Sequence, residues 1–221
     1  MTEPGRHWCL VVPVKRLDRA KTRLAGRYGD RRRDLALAFA VDTVTAALAC
    51  AVVDAVLVVT DDEQAAQRLA AAGAELTGDD PDAGLNPALV HGAELVARRH
   101  PGTCVGTLAA DLPALRPDEL AAALARAEGL DRAFVRDAEG TGTTLLLASQ
   151  AAMLRPSFGT GSAARHALDG AVEIDASDLP TLRADVDLPG DLRTAAALGL
   201  GVATAGLLGA AAGPGVPGSG R

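Results

Sequence analysis

With 221 residues but only three Phe, one Tyr and one Trp, the chain is long enough for one sizeable domain, and its core must be aliphatic. Its 28 acidic against 22 basic side chains, a net charge of −6, argue against a duplex-binding surface, which needs excess Lys and Arg. The few aromatic rings argue against base stacking on single strands. The three cysteines, widely spaced and without a C-x-x-C pair, suit neither a disulfide framework nor a zinc site, so a reducing cytoplasm is the simplest setting. The N-terminus lacks an apolar signal region and no run is long enough to span a membrane.

In chain order, Trp8–Val14 reads as a buried strand and Arg31–Cys50 as a helix. Asp54–Thr60 is the clearest strand, and a helix follows over Asp62–Ala72. A short strand at Ala74–Thr77 precedes a Gly/Asp/Pro loop from Gly78 to Leu85. A helix then runs to Arg99, a strand occupies Thr103–Ala109, and Pro117 opens a helix to Glu128. Continuous apolar strands separated by helices predict a mainly parallel α/β sheet covered on both faces. After Leu130 the rhythm changes. Asp131–Arg136 and Thr143–Ala148 read as strands around the turn Asp137–Gly142, so the sheet becomes mixed there. Ala163–Leu168, Leu182–Val186 and Gly190–Leu198 add short elements. Residues 1–208 are expected to form one domain, with 209–221 a disordered Gly/Ala/Pro tail.

Ligands of open α/β sheets bind at the carboxyl ends of parallel strands, and polar clusters fall at such ends. After the first strand, five cations stand in nine residues, Lys15 to Arg23, able to surround a polyphosphate; a solvated basic segment is the plainer reading. Asp111-Leu112-Pro113 follows the fourth strand and suits Mg²⁺ against phosphate oxygens, or simply a turn. In Asp185-Val186-Asp187, alternation places both carboxylates on one side of an extended segment. Gly140-Thr141-Gly142-Thr143-Thr144 is a turn whose hydroxyls and amides can accept a phosphorylated ligand. Gly84-Leu85-Asn86 offers an amide for a purine edge, or an N-capped helix.

Phe158-Gly159-Thr160-Gly161-Ser162-Ala163-Ala164-Arg165-His166 places two glycines and two hydroxyls before a helical run. The free N–H groups of a helix start attract anions, and Ser162 either caps the helix or donates to an oxygen. Among the histidines, His7 and His100 read as surface residues and His91 as a helix-face residue. His166 alone stands in a plausible site, where it and Arg165 either bind anions or pin the helix. Neither G-x-G-x-x-G nor a P-loop occurs, and no Ser/His/Asp set has persuasive spacing.

Val12-Pro13-Val14-Lys15 with Lys21-Thr22-Arg23-Leu24, Gly84-Leu85-Asn86, Ala110-Asp111-Leu112-Pro113 and Asp187-Leu188-Pro189-Gly190-Asp191-Leu192 together resemble the molybdenum-cofactor guanylyltransferase type of nucleotidyltransferase. Gly140–Thr144 and Phe158–His166 narrow the resemblance to the guanylyltransferases of coenzyme F420 biosynthesis, the phosphoenolpyruvate or 2-phospho-L-lactate guanylyltransferase family. It runs from Trp8 to Ala205 in order.

The resemblance implies a single Rossmann-like nucleotidyltransferase domain, GTP as donor, Mg²⁺ as cofactor and a small phosphorylated carboxylic acid as acceptor. Lys15, Lys21 and Arg23 would form the donor-phosphate loop and, with Asp111, the catalytic set. Val12, Pro13, Lys15, Lys21, Gly84 and Asn86 would bind the nucleotide, the last pair near guanine. Thr144, Gly159 and Ser162, with Thr143 and Arg165 beside them, would hold the acceptor. Asp111, Asp185 and Asp187 would bind the metal, although Asp111 is followed by Leu-Pro rather than a second acid, which leaves the metal number open. Monomer or homodimer, and contact with the next enzyme of the pathway, stay open. So do a molybdopterin acceptor and a non-catalytic nucleotide sensor; the Ala/Arg-rich composition resembles that of actinobacterial members of the family, and this likeness implies phosphoenolpyruvate as the acceptor.

Overall fold

The computed structural model describes residues 6–79 and 83–211. Its strands are β1 (Trp8–Pro13), β2 (Val53–Val59), β3 (Glu75–Thr77), β4 (Cys104–Leu108), β5 (Arg132–Arg136), β6 (Thr143–Ala148) and β7 (Val172–Glu173). Its α-helices are α1 (Ala25–Tyr28), α2 (Arg31–Leu48), α3 (Glu63–Ala71), α4 (Leu85–Arg99), α5 (Pro117–Arg126), α6 (Ser162–Leu168), α7 (Pro180–Arg183), α8 (Pro189–Leu198) and α9 (Val202–Ala211). The strands form one mixed sheet in the order β3-β2-β1-β4-β6-β5-β7, parallel except for β6, which runs antiparallel to both β4 and β5. This is the α/β architecture that the alternation of apolar runs and helices predicts.

Period-two alternation divides the central strand between two cores. Trp8, Leu10 and Val12 pack with Leu37, Val44, Leu120 and Leu124 from α2 and α5, while Cys9 and Val11 pack with Leu89, Ala93 and Val96 of α4. Helix α4 lies close to the sheet because Gly92 has no side chain. A Cβ there would stand 2.7 Å from Val11 Cγ1 and 3.2 Å from Val59 Cγ2. All three cysteines are buried free thiols, and burial pushes their pKa values up.

The sheet positions the site through its topology. The chain leaves β1 toward β2 and β3, then returns on the other side of β1 as β4. Neighbouring strands whose connections depart in opposite directions open a crevice at their carboxyl ends. The loop after β1 and Asp111 after β4 face this crevice.

Two features differ from the expected elements. Strand β7 is a two-residue edge with both residues exposed, too short to show a pattern. Helix α9 extends through 209–211, where a tail was expected, and the rest of that tail, 212–221, lies outside the described residues. Its first turn is capped from α2: the Asp42 carboxylate accepts the N–H groups of Ala203 at 2.9 Å and Thr204 at 2.8 Å. Among the described residues no single helix is long and apolar enough to cross a membrane.

Candidate active site

The loop after β1 carries the basic cluster and is fastened from several elements. Val14 N–H donates to Val59 O at 2.9 Å, and Leu17 N–H to Asp62 Oδ2 at 2.9 Å. The Arg32 guanidinium donates to the carbonyls of Leu17 (3.2 Å), Asp18 (2.6 Å) and Ala20 (2.5 Å). These contacts leave Lys15, Arg19, Lys21 and Arg23 lining a cleft of about 350 Å³. Lys21 has φ 50° and is the non-glycine residue with positive φ among the described residues. A side chain tolerates that region at a cost of order 1–3 kcal/mol, and such strain clusters at functional sites.

The acid side of the cleft meets that lysine. The Val186 N–H donates to Asp111 O at 3.1 Å, drawing the Asp185–Asp187 segment against the end of β4. The Lys21 ammonium bonds Asp111 Oδ2 and, at 2.8 Å, Asp187 Oδ1, bridging two carboxylates 76 positions apart in sequence. Arg23 approaches Asp187 at 3.8 Å. Burial pushes the Asp187 carboxyl up, but the charges of Lys21, Arg23 and Lys15 and the Lys21 hydrogen bond hold it below the usual carboxylate range. Asp185 goes the other way: burial, then the charges of Asp111, Asp137 and Asp187, push it to about 7. Lys21 is raised, the two aspartates outweighing its own burial.

Asp111, Asp185 and Asp187 are thus neighbours, but they do not form the closed metal-ligand set expected from the sequence. Among the described residues no three His, Cys, Asp or Glu side chains converge closely enough to hold an ion. The Lys21 ammonium supplies the cation between the first and the last. The donor chemistry still suits a hard divalent cation. Asp111 and Asp187 share one positive charge, and with the neighbouring Asp185 they supply the carboxylate oxygens that such an ion takes.

The opposite wall is built of hydroxyls. Asp137 shapes the turn before β6 by accepting the N–H groups of Thr141 (2.9 Å) and Gly142 (2.7 Å). A bulge then pairs Arg136 with Thr143 but Val135 with Leu145, leaving Thr144 as the extra residue. Thr143 consequently lines the cleft and meets α6. Its Oγ1 lies 3.1 Å from Ser162 Oγ and 3.0 Å from His166 Nδ1. Thr107 Oγ1, also on the cleft wall, and Thr144 Oγ1 are buried with no hydrogen-bond partner among the described residues. Buried, unmatched hydroxyls cost about 1–3 kcal/mol each unless a ligand satisfies them.

The loop before α6 is held more firmly than its sequence suggests, and three residues expected at a ligand, Ser162, Arg165 and Asn86, have protein partners there. Ser162 does not cap the helix; it is the first helical residue, and its hydroxyl engages Thr143. Its N–H donates to Gly159 O at 3.0 Å and the Ala163 N–H to Thr141 O at 3.2 Å, so those helix-start amides already have protein partners. Arg165, expected beside the acceptor, donates to Ser157 O (3.0 and 2.8 Å) and to Thr160 O, and so pins the loop. Asn86, expected near guanine, accepts the Phe158 N–H at 2.8 Å and donates to Phe158 O at 3.3 Å. Gly159 (φ 122°) and Gly161 (φ 72°) supply the left-handed turns that let the loop curl over Arg165.

Among the other expected residues, Pro13, Lys15, Lys21, Arg23, Asp111 and Asp187 line the cleft, whereas the Val12 side chain is wholly buried in the core. Gly84 opens α4 with φ 100°, one residue before Leu85 on the cleft wall. Sequence reasoning missed Arg32, Asp62 and Asp137, which shape the loops. The Asp137…Thr141-Gly142 spacing was a signal for the last of these.

Likeness to known proteins agrees with this geometry. A Methanothermobacter nucleotidyl transferase superposes with a TM-score of 0.60 at 23% identity, over 88% of this chain and 98% of its own. A Mycobacterium tuberculosis protein solved as a complex with manganese gives 0.51 at 18%, over 87% and 98%. At these identities the likeness establishes the fold. The phosphoenolpyruvate guanylyltransferase of Thermomonospora curvata is 56% identical over 90% of this chain and 88% of its own, and that of Streptomyces coelicolor is 54% identical over 90% and 94%. Residues 8–194 match the family described as guanylyl transferase CofC like, a span that holds both walls of the cleft from Lys15 to Asp187. The chain therefore belongs to the CofC-like guanylyl transferase family.

Proposed function

We propose that this chain transfers the GMP unit of GTP to phosphoenolpyruvate, releasing pyrophosphate, as a cytoplasmic step of coenzyme F420 biosynthesis. The observation that carries the reading is the two-walled cleft at the β1/β4 switch point. One wall sets Lys15, Lys21 and Arg23 beside Asp111 and Asp187, and the other presents the hydroxyl of Thr143 and the unpartnered hydroxyl of Thr107.

The basic loop would face the donor triphosphate, and the hydroxyl wall the smaller acid. A phosphate monoester is mostly a dianion at neutral pH, so its oxygen attacks the α-phosphorus without a general base. A new P–O bond forms to the GMP unit as the bond between the α-phosphorus and the bridging oxygen breaks, and the electron pair leaves with pyrophosphate. Lys15, Lys21 and Arg23 offset charge gathering on that leaving group. Asp111 and Asp187 would hold Mg²⁺, which when bound neutralises crowded phosphate oxygens. The test is pyrophosphate release from GTP and Mg²⁺ with phosphoenolpyruvate, 2-phospho-L-lactate and 3-phosphoglycerate in parallel. Turnover preferring phosphoenolpyruvate is expected, and no turnover with any of the three acids would sink the reading.

A further inference from the structure

His166 is fully buried at the back of the hydroxyl wall, its ring 5.1 Å edge-on from Phe158 and 6.0 Å from Phe134. Its two nitrogens have different partners. The Ser157 backbone N–H reaches Nε2 at 3.0 Å and can only donate, so Nε2 carries no proton in the neutral ring. The proton is on Nδ1, which donates to Thr143 Oγ1 at 3.0 Å. Thr143 and Ser162 then share one hydroxyl–hydroxyl hydrogen bond at 3.1 Å.

Counting protons gives this chain of contacts a direction. The His166–Thr143 link uses the imidazole proton and the Thr143–Ser162 link uses one of the two hydroxyl protons. The other hydroxyl proton has no partner among the described residues, and Thr143 lines the cleft. Were the imidazole proton on Nε2 instead, Thr143 would donate back to Nδ1 and Ser162 to Thr143, leaving nothing to offer a ligand.

We propose that His166 is a positioning residue for the acceptor, orienting the Thr143–Ser162 hydroxyl pair so that it presents a donor to an oxyanion of the phosphorylated acid. The same imidazole ties down Ser157, and with it the Ser157–Gly161 loop that Asn86 and Arg165 also hold. The inference rests on the acceptor binding at this wall, as the proposed reaction requires.

Two measurements test it. A long-range ¹H–¹⁵N correlation spectrum of the wild-type protein at neutral pH should show His166 as the neutral Nδ1–H tautomer; the Nε2–H form overturns the proposal whatever the enzyme turns over. Steady-state kinetics and calorimetric titration of phosphoenolpyruvate then compare His166→Asn, His166→Gln and His166→Phe. Asn can place a donor where Nδ1 stands, Gln reaches only the Nε2 position, and Phe keeps the ring without either nitrogen. His166→Gln and His166→Phe should raise the KM and Kd for the acid about tenfold, His166→Asn should recover most of that loss, and the KM for GTP should stay within about twofold in all three. Equal effects of Asn and Gln, or parallel rises in both KM values, would mark a merely structural histidine. Should a variant not fold, the wild-type spectrum still decides. Absence of wild-type turnover with acid binding intact overturns the reaction, not the role of His166.

Discussion

Asn86, in the first turn of α4, holds Phe158, 72 residues further along the chain, through both ends of its carboxamide: Oδ1 accepts the Phe158 N–H at 2.8 Å and Nδ2 donates to the Phe158 carbonyl at 3.3 Å. The start of α4 and the loop before α6, which line the cleft through Leu85 and Phe158, are thereby joined. Asn86→Asp keeps the acceptor and loses the donor, while Asn86→Ala loses both. Because a half-buried hydrogen bond contributes about 1 kcal/mol, Asn86→Ala should cost about 1–2 kcal/mol in urea unfolding and raise the acceptor KM several-fold, with Asn86→Asp between it and the wild type. Unaltered acceptor kinetics in Asn86→Ala would show that the clasp is irrelevant to the acid.

Asp111→Asn should lower turnover by on the order of 10³-fold, because the carboxylate that offsets Lys21 and faces the cleft is lost while the side-chain volume is kept. Far-ultraviolet circular dichroism and the thermal midpoint should stay close to wild type, since Asp111 is partly exposed. Wild-type rates across a Mg²⁺ titration would remove the residue from the mechanism.

The buried imidazole makes stability depend on pH in one direction. Burial, followed by the positive charges of Arg132 and Arg165, lowers the His166 pKa from its usual 6.5 to about 4, with Asp169 opposing. Between those values the unfolded chain binds a proton that the folded one does not, so the contribution is complete above pH 6.5 and is lost as pH falls toward 4. That difference amounts to about 3 kcal/mol at ~1.4 kcal/mol per pH unit. Chemical denaturation of wild type and His166→Gln at pH 7.5 and 4.5 should show a larger loss for the wild type; equal losses would contradict the assignment.

Gly92→Ala tests the spacing of α4 over the sheet. The added methyl meets Val11 at 2.7 Å, where β-branched side chains in a packed core have little room to yield, so destabilisation by about 1–3 kcal/mol is expected despite alanine's better helix propensity. An unchanged or higher urea midpoint would mean that α4 lifts freely from β1.

The central strands and long helices were readable because their signal is local. β1 is a continuous apolar run and β2 and β4 are nearly so, α3 and α5 carry helical periodicity opened by the Asp62 cap and by Pro117, and α2 is a long stretch rich in Ala, Leu and Val. Helix α9 was not readable: its Gly/Ala composition gives no amphipathic pattern, and the carboxylate that caps it belongs to Asp42, about 160 residues earlier. The same limit applied to the site. Residue types placed Lys21, Asp111 and Asp187 together, but not that the lysine joins the two acids. Asn86 suggested a base-reading amide, and only the fold brings it to Phe158. Ser162 suggested either a cap or a donor to an oxygen, and only the fold shows that the oxygen is that of Thr143, on a strand 19 residues away.

The bulge in β6 works as a phase shifter. Alternation along a strand decides which side chains share a face, and the one surplus residue between Thr143 and Leu145 decides which of two adjacent threonines meets the imidazole. Lengthening or shortening the turn by a single residue would exchange Thr143 for a neighbour while leaving the sheet beyond Leu145 in place. A one-codon insertion or deletion in this hairpin is therefore a route by which such a scaffold can change the hydroxyl wall of its cleft without rebuilding the basic loop that faces it.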